Sequence, residues 1–127
     1  MPKYQAVLFD LDGTLVDTAP DLGFALNSLL TQEGHAPLEH ALIRPVASNG
    51  SAGLLGLGFG IDANDPDFKS LQQRFVAIYQ DNLSRESDVF PDMKPVLSAL
   101  DAQGIAWGIV TNKPAFLTDP LTEQLGL

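Results

Sequence analysis

A chain of 127 residues, 45% hydrophobic and 18% charged, has the size and composition of one ordinary globular domain rather than a disordered or fibrous segment. Sixteen Asp and Glu against seven Lys and Arg give a net charge of −9, which repels phosphate backbones and anionic lipid surfaces and sets nucleic acid and membrane aside as partners. The absence of cysteine excludes disulfides, thiolate chemistry and Cys-based zinc sites. With no leader-like apolar run and no stretch near the roughly 18 apolar residues of a membrane span, the chain reads as soluble and cytoplasmic.

The first element is "AVLF" at 6–9, four apolar residues followed by Asp and Gly, which suits a short strand buried on both faces as in a helix-covered parallel sheet. Thr18 and Asp21 in "TAPD" have capping-box spacing, and behind them Leu22, Ala25, Leu26, Leu29 and Leu30 recur at helical intervals up to Gly34. A short helical piece is expected around Leu38–Ile43, broken by Pro45. The stretch "SNGSAGLLGLGFG" is rich in glycine, which argues against a helix there. Phe68, Leu71, Phe75, Tyr79 and Leu83 form an apolar stripe that predicts a helix over about 67–83, with Asp65 or Asp67 as N-cap. A further helix starts at Asp92 and stops at Gly104, "IAWGIV" reads as a second buried strand, and the tail forms a final helix with Pro114 or Pro120 in its first turn.

Open parallel sheets bind ligands at the carboxyl ends of their strands. One predicted strand end offers Asp10, Asp12, Gly13 and Thr14, and the other offers Thr111, Asn112 and Lys113. This set suits phosphoryl transfer: a carboxylate can attack phosphorus, hydroxyl and backbone N–H groups can hold the other oxygens, and a hard cation can offset the charge. Two carboxylates need different tasks, and the natural division is a nucleophile and a proton carrier. Gly13 permits the backbone angles of the turn between them.

Less productive readings are set aside. "GLGFG" lacks both the last glycine of a dinucleotide loop and a preceding strand. His35 and His40 read as surface residues, Trp107 as packing, Asp17 as a helix-start residue and Thr18 as a cap.

"DLDGTLVDT" resembles the first motif of the haloacid dehalogenase-like (HAD) hydrolase superfamily and "IVTNK" its second; with "QLGL", the chain is similar to the phosphoglycolate phosphatase-like branch, which includes phosphatases of N-acetylmuramic acid 6-phosphate. The resemblance implies an α/β, Rossmann-like core with two parallel strands visible (residues 1–19 and 87–127) and an inserted α-helical cap (20–86). It implies Mg2+ as cofactor, Asp10 as nucleophile and metal ligand, and Asp12 as general acid/base that also binds the metal through its backbone carbonyl. Gly13, Thr14, Thr111 and Asn112 would hold the phosphoryl group, and Arg44, Ser48 and Asn49 of the cap would touch the substrate. The expected activity is hydrolysis of a small phosphorylated metabolite, 2-phosphoglycolate first and a sugar phosphate such as N-acetylmuramic acid 6-phosphate as the alternative.

Relatives continue to a third-motif lysine and fourth-motif aspartates that this sequence does not contain. Each lost electrostatic contact of this kind costs about 10²–10³ in rate, so the chain alone is expected to be a weak or inactive phosphatase. Two strands with open edges are also a slender sheet. The chain is therefore expected to be part of a longer enzyme or to pair its edges with another copy, the latter leaving room for a non-catalytic, self-associating role.

Overall fold

A computed structural model describes residues 6–127. Residues 1–5, read above as the start of the core and as free of a leader, lie outside the described residues. The order of elements is β1 (Ala6–Asp10), β2 (Val16–Asp17), α1 (Ala19–Gln32), α2 (His40–Ile43), a 3₁₀ turn (Arg44–Asn49), α3 (Gly50–Phe59), α4 (Phe68–Gln80), β3 (Asp88–Val89), α5 (Met93–Ala102), β4 (Ala106–Val110) and α6 (Ala115–Gln124). This is the α/β architecture the sequence predicts.

β1 and β4 pair in parallel, with Ala6 opposite Ala106 and Asp10 opposite Val110. The register brings both strands to the same carboxyl end, so the loops that carry the polar motifs emerge side by side. The strands are not buried on both faces as the apolar run suggests. Phe9, Trp107 and Ile109 pack against the core, but Leu8 and Val110 are 66% and 57% exposed. Helices cover one face of this pair, and among the described residues nothing covers the other.

Between the strands the chain makes a separate helical layer. α1 is the central element: Leu22, Ala25, Leu26, Leu29 and Leu30 are all buried, as their spacing predicts. It packs against α4, whose Phe68, Phe75 and Tyr79 point inward, and against α3. The capping box does not form. The Thr18 hydroxyl turns away to Asp12, and Asp21, fully buried, accepts from the backbone N–H groups of Glu86 (3.1 and 3.0 Å) and Ser87 (2.8 Å). A carboxylate that satisfies two main-chain donors is stabilised without a cationic partner. Here it ties the first turn of α1 to the point where the chain returns from α4.

The return is reinforced by β2 and β3, a short antiparallel pair in which Val16 faces Val89 and Asp17 faces Asp88. These two-residue strands are too brief to leave a periodic signal. The glycine-rich stretch, in turn, is helical despite its composition. Leu54 and Leu55 of α3 are fully buried, and a methyl group at Gly58 would lie 2.9 Å from Leu26 Cδ1 of α1. Burial of the leucines and the close approach that glycine allows outweigh a propensity cost of roughly 1 kcal/mol per glycine.

Candidate active site

After β1 the chain reverses in a compact turn. Leu15 N donates to the Asp10 carbonyl (3.2 Å), Val16 N to the Leu11 carbonyl (3.0 Å) and Gly13 N to the Val16 carbonyl (2.9 Å). Gly13 takes φ +77°, the left-handed angle expected of it. Leu11 and Leu15 are fully buried and anchor the turn. Asp10 and Asp12 are thereby held at the strand end, and both line one cleft.

The loop after β4 closes the opposite side. Lys113 N donates to Thr111 Oγ1 (3.1 Å), and the Lys113 carbonyl accepts from Thr118 Oγ1 of α6 (3.2 Å). Folded in this way, the loop sends the Lys113 side chain inward, where Nζ donates to Asp12 Oδ1 (2.8 Å) and to the Tyr79 hydroxyl (2.6 Å). Thr18 Oγ1 donates to the same Asp12 oxygen at 2.8 Å. Oδ1 thus receives two hydrogen bonds, and the orientation of the carboxylate is fixed.

This lysine is 7% exposed and Asp12 19%, so the ion pair is shielded and its attraction is stronger than that of a surface pair. Burial pulls the Lys113 ammonium below its ordinary value, while Asp12 pulls it back up. Burial, with a smaller contribution from Asp12 and then Asp21, pushes the Tyr79 phenol well above the usual tyrosine range, so it stays neutral. Sequence places Lys113 at the second strand end without a partner and makes Tyr79 one member of an apolar stripe. Only the fold brings both to the acid.

The cleft measures about 790 Å³. It gathers Asp10, Asp12, Thr111 and Asn112 from the strand ends with Ser48 and Asn49 from the helical layer. Arg44 lies elsewhere: its guanidinium makes a two-pronged pair with Asp17 at 2.9 and 3.0 Å. Gly13 and Thr14 sit beside the cleft rather than on its wall, and both N–H groups are spent inside the turn, on the Val16 and Leu11 carbonyls. Gln72, Gln73 and Gln80 of α4 also line the cleft, which the helical stripe gave no reason to expect.

A hard divalent cation would find oxygen donors here. Among the described residues no cluster of three or more His, Cys, Asp or Glu exists, but magnesium commonly uses one or two carboxylates and completes its shell with water and substrate phosphate. Asp10 supplies a carboxylate, and the Asp12 main-chain carbonyl accepts no hydrogen bond among the described residues, unlike those of Asp10 and Leu11. These two donors fit Mg2+ as part of its shell.

Residues 4–127 match the family described as haloacid dehalogenase-like hydrolase. The chain belongs to that family. It is 36% identical over 127 residues to the N-acetylmuramic acid 6-phosphate phosphatase of Pseudomonas aeruginosa, covering 98% of this chain and 55% of the relative. It is 39% identical over 123 residues to the phosphoglycolate phosphatase of Xanthomonas campestris pv. campestris, covering 96% and 55%. The crystal structure of a predicted phosphoglycolate phosphatase from Haemophilus somnus 129PT superposes with a TM-score of 0.81 at 31% identity, over 99% of this chain and 59% of that one. The chain therefore spans about half the length of the curated relatives it matches. Its ancestry is that of phosphoric monoester hydrolases.

Proposed function

We propose that this HAD-family chain carries the nucleophile half of a Mg2+-dependent phosphatase site for a small phosphorylated metabolite, working in the cytoplasm. One observation carries the reading: Asp10 and Asp12 share the mouth of one cleft, and only Asp12 has its carboxylate tied to a buried ammonium. Asp10 is exposed, its carboxylate hydrogen-bonded to the Leu11 N–H (3.0 Å), and is free to attack phosphorus. Attack forms an Asp10 acyl phosphate and breaks the bond from phosphorus to the ester oxygen, which takes a proton from Asp12. Water then hydrolyses the acyl phosphate, with Asp12 accepting a proton in return. Thr111 and Asn112, which line the same cleft, would donate to phosphoryl oxygens. The Asp10 carboxylate and the Asp12 carbonyl would hold Mg2+, whose chemistry is to offset charge on the phosphoryl group.

The substrate is the finer part of the proposal. 2-Phosphoglycolate bears a carboxylate beside its phosphate and would need a second cationic contact. Among the described residues Lys113 is the one cation on the cleft wall, and Asp12 already engages it. Arg44 is taken by Asp17, Arg74 by Glu33 and Lys94 by Asp88. The remaining wall is amide, hydroxyl and apolar, from Ser48, Asn49, Gln72, Gln73 and Phe116. The part of the wall that this chain supplies can hydrogen-bond a hydroxylated sugar phosphate as well as 2-phosphoglycolate. Comparing p-nitrophenyl phosphate, 2-phosphoglycolate and sugar phosphates, with and without Mg2+, tests both levels. Loss of Mg2+-dependent turnover in Asp10→Asn is expected; turnover that survives this substitution refutes the nucleophile.

A second reading, a self-associating unit without turnover, is favoured by the uncovered sheet face with Leu8 and Val110 exposed. Sedimentation distinguishes it: concentration-dependent association supports this reading, and a strict monomer counts against it.

A further inference from the structure

The Tyr79 hydroxyl sits where the helical layer meets the acid of the strand-end turn. Tyr79 belongs to α4 and is 1% exposed, whereas Asp12 and Lys113 come from the loops after β1 and β4. Three elements distant in sequence therefore meet at one ammonium. Lys113 Nζ has three N–H donors, of which one goes to Asp12 and one to Tyr79, while the group also lies 4.5 Å from the centre of the Tyr79 ring.

A lysine side chain has four rotatable bonds and a strongly hydrated head, so one hydrogen bond to a carboxylate does not hold it in a single place. The phenol supplies the second fixed point, and the ring face takes the place of water around the buried charge. With Thr18 on the same oxygen, Asp12 Oδ1 is occupied, and Oδ2 is left as the oxygen that exchanges a proton with substrate.

We infer that Tyr79 is a positioning residue: through Lys113 it couples the seating of the helical layer to the orientation of Asp12. If α4 moves away from the strand ends, Lys113 loses its second anchor and Asp12 loses its fixed aim. Chemistry is then confined to the arrangement in which the helical layer sits over the cleft. This inference rests on the phosphatase reading for its catalytic meaning, but the link itself exists in the free chain and is measurable without turnover.

The experiment uses the 127-residue chain as wild type, Tyr79→Phe, Lys113→Met and the double variant. Side-chain ammonium resonances are followed by ¹⁵N NMR at low temperature, with Lys113 assigned by its loss in Lys113→Met. In wild type its protons should exchange with water at least about tenfold more slowly than those of the exposed Lys94, because the group is buried and hydrogen-bonded. Phenylalanine keeps the ring and removes only the hydroxyl, so Tyr79→Phe should accelerate that exchange about tenfold, the size expected for one hydrogen bond to a charged group. Equal rates for Lys113 and Lys94 in wild type overturn the inference whether or not any variant folds, and so does an unchanged rate in folded Tyr79→Phe.

Turnover of p-nitrophenyl phosphate adds the catalytic readout. The expected result is kcat reduced about tenfold in Tyr79→Phe with KM within about twofold, and a double variant no slower than Lys113→Met. Independent, additive losses would make Tyr79 a packing residue and overturn the inference. A wild-type chain with no Mg2+-dependent turnover is what the nucleophile half alone is expected to give and bears on the catalytic readout only; the exchange rates then decide the link.

Discussion

At the scale of single residues, Lys113 and Asp21 carry separable tasks. Lys113→Met removes the charge that steadies Asp12 and should lower any Mg2+-dependent turnover by about 10²-fold, the usual loss for one preorganised electrostatic contact. Steady-state kinetics on a variant whose circular dichroism is unchanged checks this. Asp21 has no place in the chemistry, since its carboxylate is spent on the Glu86 and Ser87 N–H groups. Asp21→Ala should therefore destabilise the chain by about 3 kcal/mol, because it leaves two main-chain donors unpaired in a buried site. Urea denaturation measures it, and a loss below about 1 kcal/mol would mean that water replaces the carboxylate. That the acids at 10 and 12 would share a strand-end turn was legible in the sequence, because the apolar run before them and the turn glycine set their place. Tyr79 was not, since an aromatic residue in a helical stripe looks the same whether it fills a core or holds an ammonium.

At the scale of elements, the neck between sheet and helical layer sets two acids against each other. Asp17 and Asp88 face one another across β2 and β3, an unfavourable like-charge pair, and each recruits its own cation, Arg44 and Lys94. The Lys94 ammonium, with the Val89 N–H, holds the Asp88 carboxyl below its usual range. The contribution is thus complete above the unfolded value of about 3.9 and disappears as pH falls through the lower folded value. Both groups are exposed, so it stays under about 1 kcal/mol. Between about pH 5 and pH 3, wild type should lose slightly more stability than Lys94→Met in parallel urea titrations; an identical loss would remove the pair from the account.

The same scale explains where the sequence misled. The periodicity of α1 and α4 was legible because each buries one long stripe. α3 was not, because its glycines lower helix propensity while its value lies in contact with α1, a long-range term that no local window contains. Gly58→Leu should test that contact: it drives a branched side chain into Leu26 and is expected to cost about 1–3 kcal/mol in thermal or urea unfolding. A neutral result would mean that α3 can move outward without loss.

For the whole molecule, a helical layer and a two-stranded parallel pair meet at one cleft, and the chain matches little more than half of its relatives' length. The apolar strands led to an expectation of burial on both faces, which holds on one face only, since burial depends on elements that pack from elsewhere. No helix among the described residues is long and apolar enough to cross a membrane. The nucleophile assignment nevertheless depends only on groups this chain contains. The most direct measurement is single-turnover labelling of the folded chain with a radiolabelled phosphomonoester and Mg2+, followed by borohydride reduction of the acyl phosphate and peptide mapping. The expected result is Mg2+-dependent modification at Asp10 that is absent from Asp10→Asn. Modification at another carboxylate, or Mg2+-dependent modification that persists in Asp10→Asn, would contradict the account.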